Sequence, residues 1–498
     1  MNFSESSLPS ELQEAIEYLS AKARESGLDY FTTIFELVDY KQLNEIAAYG
    51  GFPTRYPHWR WGMEYERLSK SYTYGLSVIY EMVINNDPCY AYLLRANSMV
   101  AQKTVIAHVY AHSDFFKNNF WFSKTNRKML DQMANHASTI RKFIDEVGQE
   151  EVENFIDTCL SLENLIDPQM PFRAKSKNLS QEEKEKAAYQ NPTKIESKSY
   201  MDSYVNPDTY LKKQQERILE QAKKLQAFPE EPTQDVLKFL IEYAPLTSWQ
   251  RRILAIVRDE QYYFVPQMQT KILNEGWATY WHSKMMTSTA PLSASEIVDY
   301  CDHYSGVVAN HSSQMNPYRL GVELLRHIED RWDKGRFGKE FQEIDDPKIR
   351  SSWDKNTGLG AKKLFEVRAL HNDITFIDEF LDEDFCHKSK MFLYEYNPRS
   401  GKYVITNREF KQIKKLILKQ LTNVGQPIIK IIDANYKNRG ELLLQHSFDG
   451  EDLKHDYLLE CLKNLYKIWT RPVYIETVYE NLKRRIVFDG TSHAIEKI

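Results

Sequence analysis

The chain has 498 residues, of which 42% are hydrophobic and 27% charged. At roughly 100–200 residues per domain, this length predicts several domains with sizeable cores. The 65 basic and 70 acidic side chains give a net charge of -5, which disfavours a nucleic-acid binder because such proteins present a basic surface. Glycine is scarce, with 18 residues. Neither G-x-x-x-x-G-K-[ST] nor G-x-G-x-x-G occurs, which disfavours a nucleotide enzyme of the common kinds.

Export and membrane signals are not apparent in the sequence. The N-terminal segment lacks the basic and apolar regions of a signal peptide. No window approaches 18 consecutive apolar residues, so no transmembrane helix is expected. The five cysteines lie far apart without a C-x-x-C pair, which is typical of a reducing compartment. We therefore expect a cytoplasmic protein that does not insert into a membrane.

The first 168 residues carry a helical pattern. Residues 9–19 place apolar side chains on one helix face, with Ser10 expected as the N-cap. Residues 51–62 contain prolines and glycines together with large aromatics, which predicts a loop that packs over the core. Two further helices are expected between residues 126 and 147.

A charged segment interrupts this pattern. Of the 52 residues from 173 to 224, 12 are basic and 8 acidic, and few are apolar. This composition predicts a long, solvated and partly disordered crossover. The alternative is a docking arm for a partner protein. Helical patterning resumes at residue 235 and continues to about residue 343.

The pattern changes again after residue 361. Short segments that alternate with period two predict strands, and two of them are separated by Asn397–Lys402, as in a hairpin. We therefore predict a mostly α protein with a helical domain over 1–360 and a smaller α+β domain over 361–498. The expected strands are 363–368, 391–396, 403–406, 427–432 and 472–477, and the expected helices are 408–421 and 452–468.

Two separate segments carry residues typical of a metal site. His108 and His112 are four residues apart, which on a helix brings both imidazoles to one side. Glu275 lies in a Trp- and Tyr-rich segment, where a carboxylate is costly to bury without a cation, a metal or hydrogen-bond donors. Two histidines and a glutamate make a three-ligand set for zinc or another divalent metal. The alternative is that the histidines fill the core and Glu275 pairs with an arginine or lysine.

His282 follows Glu275 by seven residues, two helical turns, and therefore shares its face. We expect it to be a fourth ligand or a donor beside the metal. His136 could be an outer partner of the site, although a single histidine in an apolar segment is more often part of the core. A di-metal site in a helical bundle is the weaker alternative, because the paired E-x-x-H motifs that it needs are missing.

The general base of a hydrolase is missing from its usual position. In H-E-x-x-H zinc peptidases, the glutamate after the first histidine takes the proton. Val109 occupies that position here and cannot do so. Asp114 and Glu260 are the candidate bases.

The segments that carry these residues resemble the SpoVR family, stage V sporulation protein R, over nearly the full length. The short Glu275-Gly276-Trp277-Ala278 stretch is also similar to the element that carries the third zinc ligand in gluzincin peptidases. The segments with the family resemblance are VDYKQLNEIAAYGGFPTRYPHWRWGMEYERL (38–68), VIAHVYAHSDFFKNNFWF (105–122), QTKILNEGWATYWHSKMM (269–286), NPYRLGVELLRHIEDRWDKGRFG (316–338) and LFEVRALHNDITFIDEFL (364–381).

This resemblance implies a role in the spore cortex, which is modified peptidoglycan, or in the cell envelope or stress response of bacteria without spores. It also implies a PrkA-type AAA+ serine kinase and a protein with a von Willebrand factor A-like domain as partners. It implies no particular catalytic activity. Two hypotheses remain: a zinc-dependent hydrolase of a peptide or cell-wall precursor, and a non-catalytic regulator or scaffold that works with the kinase.

Overall fold

Helices predominate in the computed structural model of this chain. The structure describes residues 8–73, 81–173, 195–198, 201–207, 209–210, 212–216, 228–288, 292–307 and 315–498. The predicted fold class, mostly α with a smaller C-terminal α+β part, is confirmed. None of the described helices combines the length and the apolar character that a membrane crossing requires. Most of the charged segment 173–224 lies outside the described residues.

The chain forms two compact units. The first unit comprises Met1–Gln149 and Tyr262–Gly425, and the second comprises Glu150–Gln261 and Gln426–Ile498. These units differ from the predicted ranges 1–360 and 361–498. The physical reason is that side chains beyond residue 360, such as Leu364, Phe376 and Ile413, belong to the same hydrophobic core as the N-terminal helices.

The first unit is mainly helical. Its N-terminal part contains α1 Ser10–Glu25, β1 Thr33–Val38, α2 Tyr40–Ala48, α3 Trp59–Thr73, β2 Glu81–Ile84, β3 Cys89–Leu94, α4 Met99–Asn118 and α5 Met129–Val147. Later in the chain, α9 Ser248–Gln269 crosses from the second unit into the first. The remaining elements of the first unit are α10 Lys271–Ser288, α11 Ala294–Val307, α12 Pro317–Asp333, α13 Gly338–Gln342, α14 Pro347–Ser352, α15 Gly360–Leu370, α16 Asp373–Phe380, α17 Glu383–Lys388, β4 Leu393–Asn397, β5 Lys402–Asn407 and α18 Phe410–Leu421.

The second unit combines helices with a five-stranded sheet of order β10-β9-β8-β7-β6. The β7–β8 pair is parallel and its other pairs are antiparallel. Besides most of α9, its elements are α6 Gln149–Ser161, α7 Asp202–Val205, α8 Val236–Tyr243, β6 Ile429–Tyr436, β7 Glu441–His446, α19 His455–Trp469, β8 Val473–Tyr479, β9 Leu482–Phe488 and β10 His493–Lys497.

The purely helical prediction for residues 1–168 is wrong, because this region contains a three-stranded sheet. Strand β3 lies between β1, to which it is parallel, and β2, to which it is antiparallel. Five of its six residues are buried, in the sequence CYAYLL. A strand that is buried on both faces lacks the period-two alternation that identifies strands in a sequence.

Two local predictions in the N-terminal region need correction, and a third is confirmed in part. Ser10 is the first residue of α1 and Pro9 precedes it as the N-cap, without a side-chain cap. The two helices expected between residues 126 and 147 are the single helix α5. Residues 51–58 form the expected loop, in which Phe52 and Tyr56 are each 1% exposed. Residues 59–62 instead begin α3, where Trp59 is 50% exposed.

The strand expected at residues 363–368 lies within α15. Leu364 and Val367 are buried and lie three residues apart. The apolar side chains of this segment therefore fit a helical spacing as well as the period-two alternation of a strand. A short apolar run permits both interpretations. The other C-terminal strands and helices that were expected are confirmed, including the β4–β5 hairpin.

Helix α10 packs against both α4 and α12 in the core of the first unit. Gly276 of α10 meets Gly321 of α12 at the crossing. A Cβ atom built on Gly276 would lie 2.5 Å from the Cα of Gly321, and one built on Gly321 would lie 2.2 Å from the carbonyl oxygen of Ile272. Both positions therefore require glycine. The crossing fixes where α10 lies along its axis and how it is rotated about that axis, one residue before Trp277.

Candidate metal site

Helix α4 carries the two histidines through the core. Ser98 caps its N-terminus by accepting a hydrogen bond from the backbone N–H of Ala101. Fifteen of its twenty residues are buried, which is typical of a helix enclosed by other elements on all sides. His108 and His112 are 8% and 4% exposed, so bulk water solvates neither imidazole fully.

Helix α10 carries Glu275 and begins at a buried carboxylate of another helix. The side chain of Asp373, in α16, accepts hydrogen bonds of 2.9 Å from the backbone N–H groups of Ile272 and Leu273. These donors belong to the first turn of α10, where backbone N–H groups have no partner within the helix. Asp373 thereby holds the turn that immediately precedes Glu275.

The two helices bring three metal-ligating side chains together. Nε2 of His108 lies 3.6 Å and Nε2 of His112 lies 3.5 Å from Oε2 of Glu275. The ligand atoms of the three residues all lie within 4.8 Å of one another. In tetrahedral zinc coordination, with bonds of about 2.0–2.2 Å, two ligand atoms lie about 3.4 Å apart. The observed spacing is therefore close to that of a shared metal ion.

The Glu275 carboxylate lacks an ordinary hydrogen-bond partner on one side. Its Oε2 is enclosed and has no hydrogen bond to any residue that the structure describes. Burial raises the pKa of Glu275, but the two imidazoles beside the carboxylate outweigh burial and hold its pKa below the usual range. A buried carboxylate oxygen without a donor is costly, and a cation held between it and the histidines would remove that cost. The donor set thus fits a divalent metal.

Asn274 is a functional candidate that the sequence interpretation missed. Its Oδ1 lies 2.9 Å from Nδ1 of His112. Because the amide oxygen is an acceptor, the Nδ1–H of His112 donates to it, which leaves Nε2 as the ring atom on the side of Glu275. The available signal was that Asn274 directly precedes the proposed ligand.

His282 lies near the cluster but outside the three-residue group. Its ring centroid is 5.2 Å from that of His108, and its Nδ1 lies 3.2 Å from the hydroxyl of Tyr300. Among the described residues, the group whose ligand atoms share one small volume contains only His108, His112 and Glu275. The role of His282 as a fourth ligand or neighbouring donor stays a prediction.

Asp114 joins α4 to two other segments. Its carboxylate accepts hydrogen bonds from Nε1 of Trp277 at 3.0 Å and from the backbone N–H of Asp29 at 2.8 Å. Nε of Arg368 lies 3.6 Å away. Burial raises the pKa of Asp114 to about 6, although Arg368 and the hydrogen bonds oppose that rise. Residues two positions apart on a helix point in nearly opposite directions, so Asp114 and His112 leave α4 on different sides.

The other sequence candidates lie elsewhere. Glu260 is buried in the second unit, in α9. His136, in α5, is fully buried with its Nε2 2.8 Å from Nε2 of Gln132. Val109 is fully buried within the apolar core of the first unit. The roles of Asp114 and Glu260 as bases, and of His136 as an outer partner, stay predictions.

A mostly α fold in which two helices bring two histidines and a glutamate together defines a protein with a candidate mononuclear metal centre. The chain belongs to the SpoVR family. The family model described as "SpoVR like protein" matches residues 7–426, and the model described as "SpoVR-like C-terminal domain" matches residues 427–480. The border between the two models coincides within a residue with the unit border after Gly425.

A relative from Escherichia coli strain K12 supports the same assignment. The chain is 30% identical to this protein, named "Uncharacterized protein YcgB", over 486 residues. The aligned region covers 91% of this chain and 89% of the relative. No solved structure matches the chain.

Proposed function

We propose that this SpoVR-family protein binds a divalent metal, zinc in the simplest case, through His108, His112 and Glu275. We further propose that it acts in the cytoplasm as a metal-dependent hydrolase of a peptide or peptidoglycan precursor. The observation that carries the proposal is the convergence of the three ligand atoms on one point. A bound zinc ion would act there as a Lewis acid toward a carbonyl oxygen.

The chain's own residues would orient the ligands and move the proton. Asn274 holds His112 in the tautomer whose Nε2 faces the metal position. Val109 cannot take a proton, so the base must come from another element. Asp114, with its raised pKa, and Glu260 stay the candidate bases. Because Asp114 leaves α4 on another side than His112, it would act on the metal position through intervening groups.

The biological setting of the proposal rests on family membership. SpoVR proteins of spore formers are linked to the spore cortex, and the family also occurs in bacteria without spores. We place the activity in peptidoglycan formation or in the response of the cell envelope to stress.

Metal analysis of the purified full-length protein tests the proposal. After incubation with zinc and removal of the excess, one metal ion per chain is expected in the wild type. His112→Ala and Glu275→Gln should each lose it. His446→Ala, which removes a buried histidine from β7 of the second unit, should keep it. A wild-type chain that retains no stoichiometric metal would refute the site.

The second candidate is a non-catalytic regulator or scaffold that works with the PrkA-type serine kinase and the von Willebrand factor A-like protein. The full burial of Val109 in apolar surroundings favours it, because a carboxylate in that position would be costly. Binding to the purified kinase that persists in His112→Ala, together with no hydrolysis of peptidoglycan peptides by the metal-loaded wild type, would select this candidate.

A further inference from the structure

Thr279 contributes a second unpartnered polar atom to the face of α10 that carries Glu275. The residue is fully buried. Its Oγ1 is enclosed and has no hydrogen-bond partner among the residues that the structure describes. Thr279 lies four residues after Glu275 and three before His282, so the three side chains share one helix face.

The hydroxyl of Thr279 does not follow the usual behaviour of helical threonines in this protein. A threonine in a helix can donate to the carbonyl oxygen four residues earlier, which for Thr279 would be that of Glu275. Thr279 makes no such bond. Its hydroxyl is therefore left for a partner outside its own helix backbone. Other helical threonines donate in the usual way, among them Thr104, Thr139, Thr158 and Thr287.

The face that carries Thr279 is directed at the His108 helix. Glu275 and His282 flank Thr279 on that face. Oε2 of Glu275 lies 3.6 Å from Nε2 of His108, and the ring centroid of His282 lies 5.2 Å from that of His108. A buried hydroxyl without a partner costs free energy, as does a buried carboxylate oxygen. Oε2 of Glu275 and Oγ1 of Thr279 are two such atoms, one turn apart on the same face. They indicate a polar group that would interact with both atoms.

We infer that the Thr279 hydroxyl positions an oxygen ligand, a water molecule or a small carboxylate, that completes the coordination of the metal. This inference rests on the proposed metal site. Three protein ligands leave one tetrahedral position open, and a hydroxyl can donate to an oxygen placed there. Thr279 is thus a positioning residue. The metal would contact Oε2 of Glu275, and the external oxygen ligand would accept a hydrogen bond from Oγ1 of Thr279.

The test compares Thr279→Val, Thr279→Ser and a matched control in the full-length protein. Valine removes the hydroxyl at nearly constant shape, whereas serine retains it. Thr158→Val removes a similarly buried hydroxyl that donates to the carbonyl of Asn154 in the second unit. Each protein is loaded with Co²⁺ and titrated with acetate while the visible absorption of the cobalt is followed. Thermal unfolding of the metal-free proteins is measured in parallel.

We expect acetate to bind Thr279→Val roughly 10-fold more weakly than wild type, the lower end of the usual effect of outer partners. Thr279→Ser and Thr158→Val should bind it as wild type does. Metal-free Thr279→Val should unfold at the wild-type temperature or above, because it loses an unpartnered hydroxyl, whereas Thr158→Val should unfold at a lower temperature. Changes in the cobalt spectrum before acetate is added would assign the effect to bound water, and changes only with acetate would assign it to the carboxylate.

Equal acetate affinity and equal cobalt spectra in Thr279→Val and wild type would overturn this inference while leaving the metal site intact. A lower unfolding temperature of metal-free Thr279→Val would overturn it too, because the hydroxyl would then have a partner within the chain. A wild-type protein that does not bind Co²⁺ or Zn²⁺ would overturn both the metal site and the role of Thr279.

Discussion

At the scale of single residues, four consecutive positions in α10 have four separate roles. Asn274 orients His112, and Glu275 faces both histidines. Gly276 permits the close crossing with α12. Trp277 donates to the buried Asp114 of α4. The cluster residue Glu275 is therefore flanked by residues that orient His112 and hold α10 against α12 and α4.

Replacing Asn274 with alanine should weaken metal binding without unfolding the protein. The His112 ring would lose the acceptor that fixes its tautomer, and such outer partners usually contribute about 10- to 100-fold in metal affinity. Zinc affinity measured by competition with a chromophoric chelator checks this. Asn119→Ala is the matched control. Asn119 is also buried, but its amide donates to the carbonyl oxygens of Arg368 and His371, so this variant should lose stability and keep the affinity. Equal affinities in Asn274→Ala and wild type would contradict the assigned role.

Asp373 should make the stability of the metal-free protein depend on pH. Burial raises its pKa to about 7, although the two backbone donors oppose this. The folded state therefore binds the proton more tightly than the unfolded state does, where the pKa is about 3.9. This contribution to stability is fully present below about pH 4. It is lost as the pH rises toward 7, by at most about 1.4 kcal/mol per pH unit.

Urea unfolding of the metal-free wild type and of Asp373→Asn between pH 4.5 and 7.5 measures this effect. The asparagine side chain of the variant cannot titrate, so the free energy of unfolding of the wild type should fall relative to that of the variant as the pH rises. Parallel profiles for the two proteins would show that the carboxylate is ionised throughout this range.

At the scale of elements, the position of α10 determines whether the site exists. Its first turn is held by Asp373 and its second by the contact with Gly321. Trp277 then ties it to α4. These restraints act on both sides of Glu275 in the sequence. They oppose a shift of α10 along α4, which would separate the glutamate from both histidines.

The change Gly276→Ala should strongly destabilise the protein and weaken metal binding. Its Cβ would meet backbone atoms of α12 at 2.5 Å, and backbone cannot yield as a flexible side chain can. We expect a loss of about 3 kcal/mol or more, at the upper end of overpacking effects. The control is Gly62→Ala in α3, where no atom lies within 4 Å of the added Cβ. It should stabilise by up to about 1 kcal/mol, since alanine favours helix. Denaturant unfolding checks both, and a stable Gly276→Ala would contradict the close crossing.

At the scale of the whole molecule, the border between the two family models near residue 426 coincides with one border between the two units, whose other borders follow Gln149 and Gln261. The first unit is made from two separate stretches of chain, and it contains every residue of the candidate metal cluster together with Asn274, His282 and Thr279. The second unit contributes a sheet that helix α19 contacts.

Limited proteolysis of the full-length protein should cut first within residues 173–224. The reason is the composition of this segment, which is rich in charge and poor in apolar side chains that could bury it. Cuts between Ser351 and Lys362 are also expected. They should be slower, because Arg336 holds this segment by donating to the carbonyl oxygens of Trp353 and Ser351. Mass spectrometry of the early fragments locates the sites. A chain that resists cleavage across 173–224 would show that this segment is packed.

The sequence by itself determined the fold class, many of the helices and four of the C-terminal strands, β4, β5, β6 and β8, but not β7, β9 or β10. These elements follow from periodicity, which is a local property. It also identified His108, His112 and Glu275, because the histidine spacing and a carboxylate among aromatics are visible without a structure. It failed for β3, whose apolar run lacks period-two alternation. It also failed for residues 363–368, whose three apolar side chains fit a helix as well as a strand.

Only the tertiary structure decided which residues support the candidate site. Asn274, Asp373, Gly321 and Thr279 acquire their roles from contacts, or from unpartnered atoms, that depend on how α10 lies against α4 and α12. Tertiary structure also decided the division into units, because residues 361–425 pack into the core of a body whose other parts precede residue 150 or follow residue 261. Contacts between residues far apart in the chain leave no periodic signal in the sequence, so these features could be found only once the helices were placed.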